Sequence, residues 1–137
     1  VTTLERPDRE PDYRLTLPNL AGWLSSNDST GGRLYVMRAQ KIWTWRTSAG
    51  WKAKHDKIPH LDRAHIVAVL SFGDARRRDP ANWYPTAKAC VDGLVDAGVL
   101  TDDSARYLTG PDMRLGPKSL HYLGSLSLDI YALPGER

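Results

Sequence analysis

Between Arg76 and Ser104 the chain reads RRRDPANWYPTAKACVDGLVDAGVLTDDS, a run whose residue types suit anion and metal chemistry. A basic triplet, Arg76, Arg77 and Arg78, abuts Asp79. Lys88 and Asp92 follow four positions apart, which places them on one face of a helix. The acidic pair Asp102-Asp103 comes shortly after Gly98. Carboxylates drawn from two loops and a helix would hold a hard cation, and the neighbouring arginines would hold an anionic backbone. That combination is what metal-dependent cutting of a phosphodiester requires. Each residue also has an ordinary use. Asp79 can cap a turn ahead of Pro80, Lys88 and Asp92 can form a solvated ion pair, and Asp96, opposing the helix dipole, reads as a solvated charge. Adjacent side chains of an extended segment point apart, so one of Asp102 and Asp103 would face a shared cation while the other shapes the loop.

The elements that must position these groups are legible from hydropathy. Residues 1–12 are polar, with Pro7 and Pro11, and read as an arm ahead of a domain spanning 13–137. Tyr13 to Leu17 alternates like a half-buried strand that Pro18 ends, and the turn-rich NLAGWLSSNDSTGG follows, its Trp23 and Leu24 too apolar to be fully exposed. From Leu34 to Ala53 apolar residues recur at helical steps (Tyr35, Ala39, Ile42, Trp45, Ala49), with Gly50 a weak point. HIVAVLSF, His65 to Phe72, is continuous enough to be a central strand. Pro85 suits the first turn of a second helix, which Gly98 would end. A short strand around Tyr107 and Leu108 precedes a turn-rich GPDMRLGP, and Leu126, Leu128 and Ile130 alternate with Ser125, Ser127 and Asp129 in the last strand. The order β-α-β-α-β-β implies a single α/β (α+β) domain with one mixed sheet packed by helices.

Bulk properties narrow the function. The net charge is only +3, but between Arg33 and Lys88 twelve Lys or Arg residues face four acids, so a polyanion is the natural partner. Thirteen aspartates stand against three glutamates, a bias toward short carboxylates that cap and turn as readily as they bind metals. One cysteine, Cys90, excludes an internal disulfide and suits a reducing cytoplasm. No apolar run approaches the roughly 18 residues of a membrane span. His55, His60, His65 and His121 show no metal-ligand spacing, and Walker, dinucleotide, HExxH and GxSxG patterns are absent.

Taken together, these residues resemble the RusA family of Holliday junction resolvases in its actinobacterial phage and prophage form. That family's core reads Asp-x-Asp-Asn-x-x-Lys, then an Asp-containing helix with a Gly near its end, then Asp-Asp. Arg78 and Asp79 match its start, Asn82 its asparagine, Lys88 its lysine, Asp92 the helical aspartate, Gly98 the glycine, and Asp102-Asp103 the closing pair. Asn27 matches an asparagine of the family's first loop. Two departures stand out: Ala81 replaces the second aspartate, and three extra residues separate Asn82 from Lys88. Asn82, Asp92 and Asp102 are the candidates for the missing ligand.

The resemblance implies a RusA-like fold and a homodimeric endonuclease of the bacterial or phage-infected cytoplasm. It would resolve four-way DNA junctions with Mg²⁺, for which Mn²⁺ can substitute. Asp79 and Asp103 would be the first metal ligands, completed by Asp92 or Asp102, and Lys88 would steady the phosphate or orient the nucleophile. Arg38, Arg46, Arg76, Arg77, Arg78 and Asn82 would hold DNA. Two rivals remain: a junction-binding relative disabled by Ala81, and a phage structural or interaction protein whose aspartates only shape loops.

Overall fold

The uninterrupted apolar run that starts at His65 becomes the middle of the sheet. The computed structural model describes residues 7–27 and 32–135. In chain order these form β1 (Tyr13–Pro18), α1 (Arg33–His55), β2 (Arg63–Ser71), a 3₁₀ turn (Pro80–Trp83), α2 (Tyr84–Asp96), β3 (Leu108–Leu115) and β4 (Ser125–Leu133). The strands make one four-stranded sheet in the order β1-β4-β2-β3. β2 pairs parallel with β3 and antiparallel with β4, and β4 pairs antiparallel with β1. This is a mixed sheet packed by two helices, in the element order read from the sequence.

Period-two alternation sorts the strand residues. Leu15 and Leu17, Ile66, Ala68 and Leu70, and Leu126, Leu128 and Ile130 form one apolar layer against Trp45, Ala49 and Ala53 of α1 and Ala87, Cys90, Val91 and Leu94 of α2. The reverse face mixes polar residues with the buried Val67 and Tyr131. There Arg14 binds its cross-strand partner Asp129 at 2.6 Å, and the Thr16 and Ser127 hydroxyls meet at 2.9 Å. Asp129 is only 1% exposed, so the guanidinium compensates a carboxylate that would be costly to bury alone.

One expectation needs correction, and two features of α1 refine its reading. Gly50 does not split α1, which runs unbroken because Gly50 lies at its crossing with α2 and lets the backbones approach. Tyr35 and Ala39 do not join the core: α1 outruns the sheet, and its first ten residues, Leu34 to Met37 among them, are exposed or only partly covered. The segment read as turn-rich after Leu108 is strand, since Thr109 and Asp112 to Leu115 pair with β2 on either side of a register shift at Gly110 and Pro111. Pro111 is tolerated there because β3 is an edge strand, where a missing N–H costs no ladder bond on the outer side.

Of the arm expected over residues 1–12, the first six lie outside the described residues. The rest is tied to β4, with Asp12 accepting a 2.7 Å hydrogen bond from the Ala132 N–H. No helix among the described residues is long and apolar enough to cross a membrane. Cys90 is fully buried in the core, and burial pushes its thiol pKa far up. A thiol reagent should therefore leave Cys90 unmodified in native protein and label it completely in denaturant. Rapid labelling under native conditions would contradict this packing.

Candidate functional site

The 3₁₀ turn and α2 are built by local chemistry. Asp79 caps the turn, its Oδ1 accepting from the Ala81 N–H at 3.1 Å, and Pro80 supplies a preset φ at the next position. Pro85 does the same for α2. At the far end Gly98 takes φ +80°, its N–H reaching Val95 O, while the Val99 N–H reaches Leu94 O, each at 3.0 Å. This paired closure reverses the chain, a conformation that a Cβ at Gly98 would strain. Val99 and Leu100 then bury themselves, and Asp103 is delivered back beside the helix.

There the three central residues meet. Lys88 Nζ donates to Asp92 Oδ1 at 2.6 Å and also to Asp103 Oδ2. Partial burial alone would lower the Lys88 pKa, but the hydrogen bonds it donates to Asp103 and Asp92 outweigh it, and the net shift is upward. The same contact with Lys88 holds the Asp103 carboxyl below the usual carboxylate range. Asp102 turns to the backbone, its Oδ1 accepting from the Asp103 N–H at 2.8 Å. Two carboxylates around one ammonium leave a net negative charge, and Asp102 adds to it.

Among the described residues, no three Asp, Glu, His or Cys side chains gather closely enough to hold a metal ion. The donor chemistry nevertheless fits Mg²⁺. That ion characteristically uses one or two carboxylates and completes its shell with water and substrate phosphate rather than an all-protein cage. Asp92 and Asp103 already converge on one positive charge and are the pair that would hold it. Asp79 bonds to its own turn and not to Lys88, Asp92 or Asp103.

The remaining predicted residues fall in two groups. Asn82 belongs to the site's frame: its carbonyl accepts from the Ser26 N–H at 2.9 Å, which brings the SSN loop with Asn27 against the 3₁₀ turn. Arg38 joins this frame by donating to Ser25 O at 3.2 Å. Arg76 and Arg78 both pair with Asp74, Arg78 at 2.7 Å and Arg76 at 3.2 Å, and Arg77 is exposed beside them. Arg46 lies elsewhere, clamping α1 to α2 through Asp96 at 2.6 and 2.8 Å.

Sequence reasoning passed over Asp74. The Arg78 contact, reinforced by Arg76, holds this carboxylate far below its ordinary range. Its position two and four residues before these arginines was the available signal. The contact of Trp23 with Phe72, and of Phe72 with Trp83, was also missed, because it joins three separate segments. So was the 2.6 Å pair of His65 with Asp112 on neighbouring strands.

No protein-family model matches this chain. Over 61 residues, 44% of its length, it is 36% identical to the FMN-dependent NADH:quinone oxidoreductase 1 of Burkholderia lata. The match covers 30% of that oxidoreductase, too small a part for its activity to be carried over.

Proposed function

We propose that the chain is a structure-selective, Mg²⁺-dependent endodeoxyribonuclease acting on four-way DNA junctions, in the manner of the RusA family that its sequence resembles. The observation that carries this reading is the convergence of Asp92 and Asp103 on Lys88, because it sets carboxylates and a cation within one contact shell. In this reading Lys88, which sits on a helix, turns toward a scissile phosphate once its carboxylates are otherwise engaged. Mg²⁺, when bound by Asp92 and Asp103, supplies phosphate charge neutralisation and a more acidic water. Arg76 and Arg77 present positive charge to the DNA backbone, with salt-dependent affinity. A homodimer would offer two such sites, matching the two symmetric incisions that resolution needs.

A second reading, a junction-binding protein that does not cut, draws on Ala81 and on the capping bond that occupies Asp79. The two separate in one experiment. A synthetic four-way junction is incubated with purified protein, with and without Mg²⁺, beside a linear duplex of matched sequence. Paired symmetric cuts in the junction alone support the endonuclease. Tight junction binding without cuts supports the binder, and equal treatment of both DNAs removes both readings.

A further inference from the structure

Beside the Asp79 turn is a hollow of about 310 Å³, at the small end of ligand pockets. It is lined by Trp23, Phe72 and Trp83, with Phe72 in the middle, 5.1 Å from the Trp23 ring and 5.2 Å from the Trp83 ring. Trp23 and Trp83 are only partly buried and so keep surface free to stack. Arg78 lies with its guanidinium 4.0 Å from the Phe72 centroid, and the 79%-exposed Arg76 shares its counter-ion, Asp74. Tyr122, 91% exposed, adds a further ring to the lining. One carboxylate balances two arginines, so the mouth of an aromatic hollow carries net positive charge.

We infer that this hollow receives an unpaired nucleobase of the DNA, stacked on Trp83, while Arg76 holds the adjoining phosphate. The inference rests on the DNA reading above and assigns a subsite within it. The chemistry singles out a nucleotide: the lining offers flat π surface with sequence-tolerant stacking, and the rim offers guanidinium for a phosphate. Parting the strands at a junction centre unstacks bases there, and Arg78 joins the hollow directly to Asp79 in the chain.

The test compares fluorescence anisotropy of two labelled single-stranded 12-mers, oligothymidylate and an abasic strand of equal charge. Wild type should bind the thymidylate about tenfold more tightly than the abasic strand, the scale of stacking one base on an aromatic ring. Trp83→Leu should remove that preference while leaving abasic binding unchanged. Arg76→Ala, at an exposed position where folding is not at stake, should weaken both strands alike. Equal wild-type affinity for the two strands would overturn the inference, as would a preference that survives in Trp83→Leu. Free thymidine monophosphate competing as well as the 12-mer would also overturn it, by making the hollow a mononucleotide site. Because no incision is read, absent junction cutting with a preserved base preference would sink only the endonuclease proposal. A flat comparison with cutting intact would sink only the subsite.

Discussion

Replacing Asp103 with asparagine is expected to lower Mg²⁺-dependent junction cutting by about a hundredfold or more, the scale of losing one preorganised electrostatic contact. Junction affinity should stay level or rise slightly, since one negative charge facing a polyanion is removed. The variant should fold, because asparagine keeps the shape of the side chain and an oxygen to accept from Lys88. Charge is what is lost, and a hard cation discriminates strongly between a carboxylate and an amide. The pH dependence has a definite sign. Lys88 depresses the folded-state pKa of Asp103, so its stabilising contribution is complete above the ordinary carboxylate range and disappears only as pH falls through the lowered value. Mild acid should thus leave the Lys88 contact in place. Initial cutting rates and anisotropy titrations on one junction would check this. Loss of binding together with cutting, or retention of full activity, would remove Asp103 from the proposed role.

A valine at Gly93 should lower the melting temperature by roughly 10 °C, corresponding to about 3 kcal/mol of overpacking. Gly93 lies where α2 crosses α1, and a Cβ there would fall inside the van der Waals envelope of the Arg46 carbonyl oxygen. That neighbour is backbone within a helix and cannot rotate away. Alanine at Gly50 should cost less, because its Cβ would sit 2.9 Å from Gly93 O and the helix gains about 1 kcal/mol of propensity. The nearby Arg46–Asp96 pair, with side chains 46% and 49% exposed, contributes at most about 1 kcal/mol. Steric closeness therefore outweighs the ion pair in fixing this crossing. Since α2 carries both Lys88 and Asp92, cutting should fall along with stability in Gly93→Val. Thermal or urea denaturation read by circular dichroism measures the effect, and an unchanged midpoint would refute the close approach.

Several features of the site were legible because they are local. Lys88 and Asp92 are neighbours by helical spacing alone, and the chain reversal at Gly98 follows from one glycine after an apolar helical face. The exposed half of α1 was not legible, because an apolar periodicity says which residues share a face and not whether anything covers it. Strand β3 was obscured by Gly110 and Pro111, which sit at a register shift while the residues on either side pair with β2.

From the sequence alone came the class of the fold, the order of its elements and the candidate residues for the proposed phosphodiester chemistry. These depend on periodicity, caps and residue type, all encoded within a few positions. Beyond the helical pair Lys88 and Asp92, tertiary structure alone decided which of those residues meet. Asp103 reaches Lys88 across fifteen positions, and Arg46 reaches Asp96 across fifty. Ser26 reaches Asn82 across fifty-six, and the aromatic hollow gathers Trp23, Phe72 and Trp83 from three segments. Such contacts result from how the helices cross and how the sheet is ordered, and no spacing along the chain specifies either.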